Sequence, residues 1–209
     1  MKKAIARVKP RPYHHGDLRT AVLAAAEKIL EREGLDALTL RAVARAVGVS
    51  HTAPKNHFGD LEGLLSELAG LGYRRFGETL AAAMDAAGSD PRARMRAMGR
   101  AYVGFARAYP GLFILMFRGE RIDMTRPALR DAIESARAAL RNATISSAPV
   151  TPQPPLQLAA RSTASWALVH GFAMLLLDGR LQHTIATLPD GDGADGLLEA
   201  VLDATRVGD

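Results

Sequence analysis

Residues 39–58 read TLRAVARAVGVSHTAPKNHF, and this stretch predicts two short helices joined by a tight turn. Thr39 is a suitable N-cap for the first helix, and Gly48 suits the left-handed conformation that would end it. Ser50 can cap the second helix, which we expect to run to about Phe58. This spacing is that of a helix-turn-helix, in which the second helix lies across the DNA major groove.

The second predicted helix has an unusual outer face and an unusual residue within it. Pro54 has no N–H and disfavours a helical residue before it, so the helix effectively begins near Thr52 or Ala53. Three basic and no acidic residues lie between positions 39 and 58. A polar outer face is what a helix in the major groove needs, although spacing alone also fits an ordinary exposed helical hairpin. The outward polar residues are His51, Thr52, Lys55 and Asn56.

The rest of the chain also follows helical periodicity, because no segment alternates polar and apolar residues for long. We expect an all-α fold of about nine helices, in which an N-terminal three-helix unit is joined by a long helix to a C-terminal bundle. Asp17 is the expected cap of the first helix, and prolines or glycines predict loops at 146–155 and 189–196. The predicted helices begin near residues 18, 40, 50, 61, 91, 112, 127, 156 and 197.

Composition excludes several classes of site. The 209 residues include no cysteine, which excludes disulfides, thiolate zinc sites and cysteine nucleophiles. No apolar stretch approaches the length that spans a bilayer, and the N-terminus lacks the apolar centre of a signal peptide. We therefore expect a cytoplasmic protein without membrane contact. His14–His15 and the loop at 190–195 lack the further ligands that a metal site needs, so no metal and no cofactor are expected.

The positive charge is concentrated at the N-terminus. Residues 1–16 hold five basic and no acidic side chains, which equals the net charge of +5 of the whole chain. Two interpretations stay open: a solvated tail, or a flexible basic arm over 1–12 that lies along a narrow minor groove. The basic residues are Lys2, Lys3, Arg7, Lys9 and Arg11.

The segment from Tyr13 to Leu65 resembles the DNA-binding domain of TetR-family transcriptional regulators without a gap. The motifs are YHHGDLR before the first helix, glycine at 34, TLR-x-VA at 39–44, GVS at 48–50 and HF at 57–58. The C-terminal part agrees more loosely. YPGLFILMF at 109–117 and W-x-x-x-HGF at 166–172 resemble the subgroup whose regulatory domain is named for a Trp-His-Gly motif.

The resemblance implies a homodimer that binds an inverted-repeat operator, usually as a repressor released by a small ligand, and not an enzyme. It places Thr39 and His57 at phosphates, and Arg41 within reach of either phosphates or bases. The domain division would be a helix-turn-helix domain over 13–60 and a ligand-binding and dimerisation domain over 61–209. The full DNA-binding set is Thr39, Arg41, Ser50, His51, Thr52, Lys55, Asn56 and His57.

Two positions depart from the family pattern. Lys55 stands where the family usually has tyrosine, and Leu61 stands where it usually has lysine or arginine. Lysine can still bind phosphate as a point charge, with a steeper salt dependence. Leucine cannot, although the backbone N–H groups at that helix end could.

The C-terminal part carries two further predictions. A cluster of aromatic and apolar residues predicts either plain core or a pocket for a hydrophobic ligand that His170 would orient. The helices 156–177 and 197–205 are the candidates for the dimer interface, where Gly171 would permit close approach. The ligand-binding set is Phe105, Tyr109, Phe113, Met116, Phe117, Trp166, His170 and Met174. The dimer set is Phe172, Leu176, Leu198, Val201 and Leu202.

Two alternative functions remain open from the sequence. The first is an all-α ligand-binding or enzymatic protein with a degenerate helix-turn-helix, for which Lys55 and Leu61 are the only support. The second is an architectural DNA-binding protein that uses its basic arm without sequence preference. Turnover of a compound without DNA affinity would favour the first, and competition by random DNA would favour the second.

Overall fold

The computed structural model describes residues 15–146, 154–189 and 191–204, and these ranges contain helices and no strand. The all-α prediction is confirmed, with ten α-helices in the described ranges where about nine were expected. The basic arm, His14 and most of the expected loop at 146–155 lie outside the described residues. The helices are α1 (His15–Glu33), α2 (Leu40–Val47), α3 (Thr52–Phe58), α4 (Leu61–Ala86), α5 (Pro91–Ala108), α6 (Pro110–Met116), α7 (Pro127–Ser146), α8 (Pro155–Leu177), α9 (Gln182–Ala186) and α10 (Gly193–Ala204).

Helices α1, α2 and α3 form the predicted N-terminal unit. The Thr39 hydroxyl accepts a hydrogen bond from the backbone N–H of Ala42 at 3.0 Å, which caps α2. Gly48 follows α2 in the left-handed region at φ 75°, where a side chain would be strained. Ala44 is 2% exposed, as the close approach of helices at this turn requires.

The start of α3 differs from the predicted cap. His51, and not Ser50, precedes the first helical residue, and the helix begins at Thr52 as the position of Pro54 implies. Because Pro54 cannot donate, the first turn closes through the N–H of Ala53, which donates to the Ser50 carbonyl at 3.0 Å. The Ser50 hydroxyl accepts from the Thr52 N–H at 3.4 Å and lies 2.9 Å from the Thr52 hydroxyl, so it still contacts the start of the helix.

The remaining differences concern helix ends and one short helix. Position 17 lies inside α1, so Asp17 is not its cap. Helix α10 begins at Gly193, and the second half of the expected loop at 189–196 is therefore helical. Acidic Asp195 in its first turn favours this start electrostatically. Helix α9 was not predicted, since five residues are too few to show periodicity.

Helix α4 connects the two parts of the chain. Its N-terminus is capped by the Asp60 side chain, which accepts from the Gly63 N–H at 2.7 Å. Beyond that end it packs against α5, α6 and α7, and its Phe76 lies in the centre of the bundle. Phe76 meets Tyr102 of α5 nearly edge to face, with ring centroids 5.0 Å apart. Such aromatic pairs contribute about 1 kcal/mol each beyond the burial of their surface.

Candidate DNA-contacting surface and effector cavity

The predicted DNA-binding residues lie together on the outer side of α2 and α3. All of them are exposed except His57, which is half-buried. Pro54 and Phe58 point inward and are buried, so α3 is anchored by its apolar side. Arg19 of α1 lies over the Phe58 ring at 5.5 Å and covers this anchor. The arrangement turns the polar side of a short helix outward, where it can reach into a groove.

Arg45 also lies on this surface, although it was not among the residues predicted to contact DNA. It is exposed and lies one helical turn after Arg41, so the two guanidinium groups share a face of α2. In the sequence, the spacing of four residues between Arg41 and Arg45 could have indicated that both lie on the DNA-contacting face. The surface of α2 and α3 therefore carries Arg41, Arg45 and Lys55 and no acidic residue.

The N-terminus of α4 carries a carboxylate cap. Leu61 is partly buried, and the Asp60 carboxylate already accepts from the Gly63 N–H at this end. This carboxylate satisfies the Gly63 N–H and makes the local charge less favourable for an anion. A phosphate contact by the other N–H groups at this end stays a prediction.

A cavity of about 340 Å³ lies between α4, α5, α7 and α8. Of the residues predicted to bind a ligand, Phe117 and Trp166 line it. Phe105, Phe113 and Met116 are buried core residues outside the lining, and Tyr109, His170 and Met174 also lie outside it. The complete lining consists of Tyr73, Phe76, Met98, Tyr102, Phe117, Ala136, Arg137, Leu140, Arg141, Ser162, Thr163, Ser165, Trp166 and Val169.

Tyr102 organises the polar groups beside this cavity. The indole N–H of Trp166 donates to the Tyr102 hydroxyl at 3.1 Å, and this hydroxyl lies 3.0 Å from Nδ1 of His170. The Tyr102 hydroxyl is therefore the acceptor for Trp166 and at the same time the hydrogen-bond partner of Nδ1 of His170. Burial lowers the pKa of His170 and raises the pKa of Tyr102 well above its usual range. His170 thus positions Tyr102 and Trp166.

Helix α1 is hydrogen-bonded to the start of α6. The Glu31 carboxylate accepts from the N–H groups of Gly111 and Leu112 at 3.0 and 2.8 Å. The helices approach so closely that a Cβ at Gly111 would lie 2.7 Å from the Leu30 carbonyl oxygen. Phe117 directly follows α6 and lines the cavity, so α6 spans the distance between the cavity and the N-terminal unit.

A second contact strengthens the same junction. Arg75 of α4 pairs with Glu27 of α1 at 2.5 Å, and its guanidinium lies 4.7 Å from the centre of the Tyr109 ring. Tyr109 immediately precedes α6. The end of α1, the middle of α4 and the start of α6 therefore form one connected group.

The predicted dimer residues differ in how much surface they offer. Phe172 and Leu198 are 7% and 3% exposed within one chain and have little surface left for a partner. Leu176, Val201 and Leu202 are partly exposed. Helix α8 also exposes large apolar side chains that were not in the predicted dimer set, namely Leu156, Trp166 and Leu175. A Cβ at Gly171 would meet no atom within 4 Å, so this part of α8 is open.

No helix within the described ranges is long and apolar enough to cross a membrane. Histidine and acidic side chains of the described residues form no group of three that could hold a metal ion.

Comparison with solved structures finds chains of the same architecture. A protein with unknown function from Rhodococcus sp. RHA1 is 33% identical, with a TM-score of 0.76 over 93% of this chain and 96% of that one. The TetR family transcriptional regulator PfmR from Thermus thermophilus is 22% identical, with a TM-score of 0.58 over 90% and 97%. The multidrug binding protein EbrR, solved with imidazole, is 20% identical, with a TM-score of 0.52 over 88% and 93%.

Family models match both parts of the chain. The model described as bacterial regulatory proteins, tetR family, matches residues 22–68, which include α2 and α3. The model described as tetracyclin repressor-like, C-terminal domain, matches residues 95–204, which is more than half of the chain. A search of curated proteins finds no significant match. The helix-turn-helix, the helical C-terminal domain and these matches together show that the chain belongs to the TetR family of DNA-binding transcription regulators.

Proposed function

We propose that the protein is a repressor that binds an inverted-repeat operator as a homodimer and releases it when a small hydrophobic ligand enters the cavity. The observation that carries this proposal is the Glu31 junction between α1 and α6. Since Phe117 lines the cavity at the other end of α6, a ligand that moves this helix also moves α1. A regulator rather than an enzyme fits a family of transcription regulators.

Three structural parts follow from this proposal. Residues 13–60 would be the DNA-binding domain and 61–209 the ligand-binding and dimerisation domain, with α4 packed against both. Residues 1–12 would be a basic arm on the minor groove. The Trp166–His170–Gly171 motif supports assignment to the Trp-His-Gly subgroup, since Tyr102 hydrogen-bonds both aromatic residues of the motif.

The proposed dimer interface is formed by α8 and α10. Leu156 is 81% and Leu175 43% exposed, and exposed apolar side chains that belong to one contiguous patch mark an interaction site. Between them α8 exposes small residues that permit close helix packing, among them Ala160, Ala164 and Ala167. Leu176, Val201 and Leu202 would extend the contact. Analytical ultracentrifugation should show a dimer, and a monomer at micromolar concentration would contradict this interface.

DNA binding tests the proposal most directly. The purified protein is titrated against the DNA immediately upstream of its own coding region and against random DNA, at two salt concentrations. Selective binding that protects a symmetric site is the expected result. Equal binding to random DNA would instead identify a DNA-binding protein without sequence preference and overturn the operator assignment.

Lys55→Ala should weaken binding to all DNA sequences alike. A lysine that neutralises one phosphate releases about one counterion, so the slope of log affinity against log salt should become shallower by about 1. Fluorescence anisotropy at several salt concentrations measures both effects. Arg161→Ala removes an equal charge from α8, far along the chain from α3, and should leave the slope unchanged. An unchanged slope in Lys55→Ala would exclude a phosphate contact by this residue.

Asn56→Ala should change base preference rather than overall affinity. An asparagine side chain that pairs with an adenine edge contributes about 1–3 kcal/mol of discrimination at one base pair. Selection of bound sequences from a randomised operator should therefore lose information at one position in each half-site. If all positions lost affinity equally, Asn56 would contact the backbone and not a base.

A further inference from the structure

The cavity has an apolar, mostly aromatic body. Tyr73, Phe76, Tyr102, Phe117 and Trp166 contribute rings from four different segments of the chain. Rings on several sides favour a flat or aromatic group in the ligand, because stacked and edge-to-face contacts are both available. The body alone would accept many hydrophobic compounds.

The polar groups of these rings are already used. The Tyr73 hydroxyl donates to the Met116 carbonyl at 2.6 Å, and the Trp166 indole N–H donates to Tyr102. The Tyr102 hydroxyl, which accepts this bond, is also hydrogen-bonded to Nδ1 of His170 at 3.0 Å. The Tyr73 hydroxyl and the Trp166 N–H each have one proton to give, so neither can donate a hydrogen bond to a ligand without losing its partner in the protein. Further hydrogen-bond donors for a ligand lie elsewhere in the lining.

Positive charge is available on α7. Arg137 and Arg141 line the cavity one helical turn apart, and no acidic side chain of the described residues lines it. Arg141 is paired with Glu134 at 2.8 Å. Arg137 forms no ion pair with any residue that the structure describes. It also acts on the lining electrostatically, since its charge opposes the rise in the Tyr73 pKa to about 12 that burial causes.

The helix facing α7 adds hydroxyl groups. Ser162, Thr163 and Ser165 of α8 line the cavity, and α8 packs against α7. Hydroxyl donors near a guanidinium that no described acidic residue pairs form a site for an anion with an apolar substituent. A cationic ligand would instead face Arg137 and Arg141 without an acidic partner.

We propose that the effector is an amphipathic acid, with an apolar aromatic body among the rings of the cavity and a carboxylate on Arg137. This inference rests on the proposed function, because it takes the cavity as the effector site. It narrows the expected class of ligand from hydrophobic compounds in general to hydrophobic anions. Arg137 is exposed, so its ion pair is partly screened by water. The carboxylate should then strengthen binding by about tenfold, the range of a hydrogen bond to a charged group.

Binding of three matched probes tests the charge preference. They are 4-phenylbutyrate, 4-phenylbutanamide and 4-phenylbutylammonium, which share one apolar body and differ in the polar end. Trp166 lines the cavity and is the single tryptophan of the chain, so its fluorescence reports occupancy directly. We expect the carboxylate to bind about tenfold more tightly than the amide, and the ammonium to bind most weakly. Equal affinity of acid and amide, or preference for the ammonium, would overturn the proposal.

Variants of Arg137 and Arg161 test where the carboxylate of the ligand binds. Arg137→Gln should abolish the preference for acid over amide, since that preference comes from the positive charge at this position. Arg161→Gln removes a charge from α8 outside the lining and should keep the preference. If Arg137→Gln retained the full preference, the anion would bind elsewhere and the assignment of Arg137 would be wrong. Wild-type comparison of the probes needs no variant and remains decisive if a variant fails to fold.

The same probes separate this inference from the proposed function. Selective operator binding together with indifference to probe charge would retain the repressor and overturn the amphipathic acid. Charge-selective binding that depends on Arg137, without release of operator DNA, would support the site chemistry and contradict release by a ligand.

Discussion

Gly63→Ala should lower the free energy of unfolding by about 3 kcal/mol and abolish operator binding. A Cβ at this position would lie 2.0 Å from the carbonyl oxygen of Phe58 and 2.7 Å from the Arg126 guanidinium. The first of these is backbone and cannot rotate away, so the start of α4 would have to separate from the end of α3. Urea unfolding followed by circular dichroism measures the loss of stability.

Gly104→Ala is the matched control for this substitution. Gly104 also lies within a helix, but a Cβ there would meet no atom within 4 Å. Alanine is favoured over glycine in an exposed helix by about 0.5–1 kcal/mol, so this variant should be slightly more stable than the wild type. If Gly63→Ala unfolded at the same urea concentration as the wild type, the junction of α3 and α4 would be shown to accommodate the added Cβ without loss of stability.

Glu31→Ala should separate ligand binding from DNA release. Pro110 opens α6 without an N–H, so the N–H groups of Gly111 and Leu112 are the first that need an acceptor. Without Glu31 they lose their partners, and the free energy of unfolding should fall by about 2 kcal/mol. The ratio of operator affinities without and with 4-phenylbutyrate should also fall at least about fivefold, because α6 no longer holds α1.

Glu33→Ala provides the comparison on the same helix. Glu33 is exposed at the C-terminal end of α1, where a negative charge is slightly unfavourable. Its removal should leave both stability and the affinity ratio close to the wild-type values. A full response to ligand in Glu31→Ala would mean that the signal reaches the DNA-binding domain by another route, for which the pair of Arg75 and Glu27 is the next candidate.

The features that could be predicted are those encoded within a few neighbouring residues. Thr39 caps α2, Gly48 follows it, and Asp90 with Pro91 starts α5 because a side chain or ring acts on its own local backbone. The exposed polar face of α3 follows in the same way from the spacing of Pro54 and Phe58. Helix α9 and the first turn of α10 could not be predicted, since short segments rich in glycine and polar residues carry no apolar period.

Most residues that line the cavity could not be predicted from local sequence patterns. Phe117 and Trp166 could be selected as large aromatic residues, but nothing within α7 distinguishes Arg137 from an ordinary surface arginine. The orientation of His170 depends on Tyr102, which lies 68 positions earlier in the chain. Glu31 and Gly111, whose N–H donates to the Glu31 carboxylate, are 80 positions apart in the chain. Partners at such distances are brought together only by the packing of the helices.

The junction of α1 with the bundle has a consequence for building hybrid regulators by exchange of DNA-binding domains. A cut near residue 60 would take α1 from one parent and α4 and α6 from the other. Among the described residues, three polar pairings of α1 cross that cut: Arg19 with Glu67, Glu27 with Arg75, and Glu31 with the start of α6. A hybrid whose donor lacks acidic residues at positions 27 and 31 would still recognise the donor's operator but would no longer respond to the recipient's inducer. Grafting those two carboxylates onto the donor α1 is therefore part of the design.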